Sequence, residues 1–261
     1  MEYARDTHRA CQLASPAVAG PNRPGPFRLF FGWEGFVEEV RNNRPPAALV
    51  EVLPGSGDGA PNPDLRQLLK LTEQPETMGL LFYVDPRVTH RDVLLDLGEP
   101  GASVLVVKGV DDDPASLLRA LARAVALPRV RRALRTTDQG EEPGDKRLLL
   151  LQCLCGWPPS GSVQELAKNL NVSTRTLRRR MQGTGLPCPR ALVGWSHLLE
   201  AVALAQMGVA DPRQISLLTG LEEPSSLYRL SRRLCGTSLP DLLKETGIPD
   251  VVELLLGDIV A

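Results

Sequence analysis

One pattern is written twice in this chain, and both copies have to be accommodated by any fold it adopts. Val163 to Met181 (VQELAKNLNVSTRTLRRRM) and Pro212 to Leu234 (PRQISLLTGLEEPSSLYRLSRRL) each read as a short helix, a turn and a longer helix. Leu166-Ala167 matches Ile215-Ser216: a bulky core residue, then a small one where the second helix crosses closely. Asn171 and Gly220, 49 positions apart, are the residue types that best tolerate a positive φ in a tight turn. Val172 and Leu221 follow and pack beneath it. Ser173 is expected to cap the first longer helix, and Glu223-Pro224 to do the same for the second, with proline in the first turn.

Helical geometry, ~100° per residue, assigns faces to the two longer helices. In the first, Leu177 and Met181 define the buried stripe, Arg175 and Arg179 point outward, and Arg178 and Arg180 lie on the flanks. In the second, Leu227, Leu230 and Leu234 are expected inward and Ser225, Tyr228, Arg229 and Arg232 outward, with Ser226 at the margin. Arginine forks can read guanine edges in a major groove or grip phosphates. A run of arginines is also an ordinary solvated helix face, and Arg179 or Arg229 could serve a structural ion pair instead.

The charge distribution favours the first reading. The whole chain carries a net charge of −1, which taken alone argues against nucleic acid. Residues 1–145 hold 17 Lys+Arg against 21 Asp+Glu, residues 146–240 hold 12 against 5, and residues 241–261 hold 1 against 5. A basic segment of net +7 therefore lies between two acidic ones, and a phosphate backbone would attract only the middle one.

The repeated segments resemble the DNA-binding domain of the AraC/XylS family. The resemblance covers roughly Val163 to Pro240, with LPCPRALVGWSHLLEAVALAQMG between the copies similar to that family's long linker helix and LSRRLCGTSLP similar to its closing signature. It implies two helix-turn-helix motifs. By the resemblance Arg175, Arg178 and Arg179 occupy the family's base- and backbone-contacting positions; the candidate DNA-binding residues are Arg175, Thr176, Arg178, Arg179 and Arg180, then Ser225, Ser226, Tyr228, Arg229, Arg232 and Arg233. The chain departs from the family in the second recognition helix, where Leu227, Ser231 and Cys235 stand in place of bulky aromatics. Two motifs on one stiff helix would enter successive major grooves about 34 Å apart.

The N-terminal half has another character. Residues 1–26 are expected to be irregular, broken by Pro16, Gly20, Pro21, Pro24, Gly25 and Pro26. Strands are predicted at Phe27–Phe31, Ala47–Leu53, Met78–Val84 and Ser103–Val107. Helices are predicted at Glu34–Asn43, Asp64–Thr72, Thr89–Leu97 and Asp113–Ala126. Apolar strands alternating with amphipathic helices mean a parallel sheet. Gly101 to Ala124 resembles the end of a response-regulator receiver domain, with Lys108 on the family's strand-closing lysine, and Arg44 to Gly59 resembles its middle strand. Val50, Glu51 and Val52 stand where that family has its phosphate-accepting aspartate, and Asp85-Pro86 where it has a hydroxyl. This resemblance implies a degenerate receiver that takes no phosphate.

The expected architecture is an α/β receiver-like domain over 27–135, a linker over 136–145, and an all-α DNA-binding domain over 146–261 that ends in an acidic tail. Trp195 is read as a packing residue of the linker helix and His197 as a surface one. Cys11, Cys153, Cys155, Cys188 and Cys235 form no zinc or redox spacing, and Cys153 and Cys155 sit in an apolar run. His8, His90 and His197 make no ligand spacing, so neither metal nor other cofactor is expected. No apolar run spans a bilayer, and the compartment expected is the cytoplasm. The function expected is sequence-specific transcriptional regulation, not enzymatic. Expected partners are double-stranded DNA, a second copy through the N-terminal half, and RNA polymerase. A phosphorylation-responsive switch, or an enzyme with its site in the α/β half, are the alternatives.

Overall fold

The computed structural model describes residues 38, 42, 47–52, 78–87, 104–136, 144–156, 159–184, 186–221 and 223–260. On the N-terminal side β1 (Ala47–Val52), β2 (Gly79–Val84) and β3 (Val104–Val107) form a three-stranded parallel sheet in the order β1-β2-β3. Ala47 pairs with Gly79 and Val52 with Val84, while Leu81 pairs with Val104 and Val84 with Val107. β2 is the middle strand and almost all of it is buried, as its unbroken apolar sequence requires. Three of the expected strands are thus present. The strand expected at 27–31 and the helices expected at 64–72 and 89–97 lie outside the described residues. So does the helix expected at 34–43, apart from Glu38 and Asn42, which are helical.

The rest of the chain is helical: α1 (Pro114–Thr136), α2 (Gly144–Cys155), α3 (Val163–Asn169), α4 (Thr174–Thr184), α5 (Pro189–Gln206), α6 (Pro212–Leu218), α7 (Pro224–Cys235), α8 (Leu239–Glu245) and α9 (Ile248–Val260). α1 starts where Asp113 accepts from the amides of Ala115 and Ser116 and Pro114 occupies the first turn. It was expected to stop at Ala126 but continues through Pro128 to Thr136. Proline cannot donate to the carbonyl four residues back, here that of Ala124. That carbonyl lies against β2, where a side chain on residue 79 would put its Cβ 1.6 Å from the oxygen, so Gly79 is what lets helix and sheet meet.

The continuation of α1 has a physical reason. Leu117, Ala120, Leu121 and Ala124 pack with Leu81, Val104 and Val106 of the sheet. Ala122, Val125, Ala126, Leu127, Val130 and Leu134 join the core of the helical half. α1 thus packs on the sheet with one set of residues and joins the helical core with another, and is shared by both halves. The linker expected over 136–145 is narrowed by helix at both ends, its residues 137–143 lying outside the described ones. The expected acidic tail is instead two helices. Ile248, Val251, Val252 and Leu255 of α9 are buried in the core, and α9 packs on α1 and α5. Asp250 and Glu253 are exposed on its outer face, so counting charge over 241–261 hid an apolar stripe. Cys153 and Cys155 are core residues as expected, their thiols pushed up to about 12 by burial.

Candidate nucleic-acid interface

The two copies of the pattern become two like units, α3–α4 and α6–α7, both packed on α5. Ser162 caps α3 by accepting from the Glu165 amide, and Glu165 reaches back to the Gly161 amide. Asp211 caps α6. In the turns Asn171 has φ 52° and Gly220 φ 74°, the left-handed backbone for which those residue types were singled out. Ser173 accepts from the Thr176 amide at 3.0 Å. Glu223 occupies the cap position of α7, but its side chain makes no capping bond. It accepts instead from Ser225 Oγ and pairs with Arg229 Nη2, both at 3.2 Å.

Leu177 and Met181 are the buried side chains of α4, Leu227 and Ser231 those of α7. The longer helices therefore align at an offset of 50, one more than the turns, because the second copy has one more residue in its sequence between turn and helix. Arg175 then corresponds to Ser225, Arg178 to Tyr228, Arg179 to Arg229 and Arg180 to Leu230. Arg175, Arg178, Arg179 and Arg180 are exposed, and no side-chain partner holds any of them among the described residues. Thr176 is half-buried. On α7, Ser225, Arg229, Arg232 and Arg233 are exposed and Ser226 is half-buried. Tyr228, expected to point outward, is half-buried and packs against the core, as do Leu230 and Leu234. Ser231 takes the fully buried place where the α4 register has Met181, donating to the Thr237 carbonyl at 2.7 Å. Arg229 is also engaged, since its Nη2 lies 3.3 Å from Ser226 Oγ and 3.4 Å from Ser225 Oγ besides its pairing with Glu223.

Behind the second unit lies a buried charge cluster that residue spacing did not reveal. Glu200 of α5 is fully buried and accepts from Arg119 Nε at 2.6 Å, from Arg123 Nη2 at 2.7 Å and from Arg123 Nε at 3.1 Å. Arg123 also donates to the carbonyls of Leu154 and Gly156 and to Ser196 Oγ. Arg119 Nη2 donates to the Thr219 carbonyl at 3.0 Å, in the turn between α6 and α7. Its guanidinium lies over the open face of Gly220, where a Cβ would meet Nη1 at 2.9 Å.

No family model, no curated protein and no solved structure matches this chain.

His197, expected on the surface, is 2% exposed. The expectation failed because α5 has no solvent side there, with α1, α2, α9 and both units packed around it. Its ring nitrogens and the Trp195 Nε1 make no hydrogen bond. Burial pushes the imidazole down to about 4; the nearby Arg123 and Arg119 charges push the same way, and the Glu200 carboxylate opposes them.

At the sheet's C-terminal edge Lys108 Nζ stands 3.9 Å from Asp85, and the Tyr83 hydroxyl donates to Asp112. Burial, then that bond, raise the Tyr83 pKa above the usual phenol range. Among the described residues no group of three or more His, Cys, Asp and Glu could hold a metal ion, and no helix is long and apolar enough to cross a membrane.

Proposed function

We propose that this chain is a sequence-specific DNA-binding transcriptional regulator of AraC/XylS type, in which α3–α4 and α6–α7 act as tandem helix-turn-helix modules. The observation that carries the reading is α4. Its four arginines stand exposed around a stripe of Leu177 and Met181, with no partner among the described residues. A helix built that way presents a continuous cationic edge to a groove. The net charge of +7 over residues 146–240 supports it. So do the left-handed turns at Asn171 and Gly220, which set the longer helix of each unit across the shorter one. In this reading the α/β half serves dimerisation or the sensing of a signal or partner, with RNA polymerase a further partner of the regulator.

Selection of duplexes from a random pool by the full chain tests this. Arg175 and Arg179 are assigned to bases, so Arg175→Ala or Arg179→Ala should relax preference at one or two neighbouring base pairs. Each bidentate arginine–guanine contact carries about 1–3 kcal/mol of discrimination. Arg180→Ala should weaken binding to all sequences alike. If Arg175→Ala and Arg179→Ala keep the full wild-type preference, the facing assigned to α4 is wrong.

A further inference from the structure

Arg119 belongs to the helix that covers the sheet, yet its guanidinium bridges two elements of the helical half. One edge holds Glu200 at 2.6 Å and another holds the Thr219 carbonyl at 3.0 Å. Thr219 closes the turn whose next residue is Gly220, at φ 74°. A planar fork reaching two acceptors at once fixes their relative positions, which a point charge on a flexible stem does not. Glu200 is itself held by Arg123, so the anchor beneath the bridge is rigid. Among the described residues the first unit has no such tie. Its buried side chains are Leu166, Ala167, Leu177 and Met181, all apolar.

We propose that Arg119 is a positioning residue for DNA recognition: by gripping Glu200 and the Thr219 carbonyl together it sets the second unit against the linker helix, so the α/β half governs that unit and not the first. The role in recognition rests on the DNA-binding reading above; the mechanical tie does not. A signal that shifts α1 on the sheet would reach the α6–α7 turn through this side chain, beside the direct packing of α1 on α6.

The test uses the full chain with Arg119→Met, which keeps the apolar stem, and Arg119→Lys, which keeps the charge. Hydrogen exchange needs no DNA. In Arg119→Met the amides over 212–221 should exchange about tenfold faster or more, while those over 163–181 stay unchanged, and Arg119→Lys should restore only part of the protection. Unchanged exchange over 212–221, or equal acceleration in both units, overturns the tie. The second arm compares a duplex bearing the whole selected site with one bearing only the half read by α4. Arg119→Met should bind the half within about twofold of wild type and lose about tenfold or more of the gain conferred by the whole site. Retention of that gain overturns the positioning role. Wild type that binds neither duplex overturns the DNA reading instead, and with it the role in recognition, leaving the exchange result to judge the tie alone.

Discussion

The two units share a pattern and differ in what lies beneath it. Under α3–α4 the buried side chains are apolar. Under α6–α7 they include Ser216, Thr219 and Ser231, and Arg119 ties the turn between the two helices to the buried Glu200. Their outer faces differ in the opposite sense. α4 presents four arginines with no partner among the described residues, whereas Arg229 of α7 is engaged by Glu223, Ser225 and Ser226. Apolar packing is non-directional and tolerates small shifts. A buried polar network holds one arrangement while satisfied and is costly when broken. The contrast separates the two units: the first rests on apolar packing beneath a cationic outer face, and the placement of the second depends on its buried polar network.

The largest expected effect that divides them is acid. The free histidine titrates near 6.5, and His197 in the fold is held down to about 4. Between those values the unfolded chain binds a proton that the folded chain does not. Stability is therefore whole above pH 6.5 and falls as pH drops toward 4, by about 3 kcal/mol over the full span. Urea melts from pH 7 to 4.5 should show wild type losing stability relative to His197→Leu as pH falls, and wild-type exchange should quicken over α6–α7 before α3–α4. Parallel pH curves would place the acid sensitivity elsewhere, and acceleration in α3–α4 first would reverse the contrast.

A smaller effect sharpens the outer faces. Glu223 and Arg229 are largely exposed, so Glu223→Gln should change stability by less than about 1 kcal/mol. It should tighten DNA binding by about two- to fivefold, because a carboxylate leaves the phosphate-facing surface and Arg229 is released. Weaker binding would mean that Glu223 itself makes a useful contact. The corresponding place in the first unit is Ser173, a neutral cap whose hydroxyl bonds Thr176, and no equivalent gain is available there.

Local rules made much of this legible. Turn chemistry marked Asn171 and Gly220, period and apolar runs marked three strands and the stripe of Leu177 and Met181, and the cap at Ser173 followed from its hydroxyl. What escaped was set by tertiary packing. The helix expected to stop at Ala126 continues through Pro128 to Thr136, because Leu127, Val130 and Leu134 join the core of the helical half. Nothing in the local sequence marked Arg119 and Arg123, since their partner Glu200 lies 81 and 77 residues away. Tyr228 read as outward because the stripe was drawn through Leu227, Leu230 and Leu234, whereas Ser231 takes the deepest place, made possible by its bond to Thr237.

The sharing of α1 also decides how the central claim must be tested. A fragment beginning at residue 146 would strip Val125, Val130 and Leu134 from the helical core, so the measurement belongs to the full chain. Binding to a selected duplex is followed against salt for wild type and for Arg175→Ala/Arg178→Ala/Arg179→Ala/Arg180→Ala, with circular dichroism and melting to confirm that both are folded. Each phosphate contact adds about −0.9 to the slope of log K on log salt. Wild type should bind with a steep negative slope. The fourfold variant, equally stable, should lose about a hundredfold or more in affinity and about two units of slope or more. A wild-type chain that binds no duplex at low salt, or a fourfold variant with unaltered affinity and slope, would contradict the assignment of α4 to DNA.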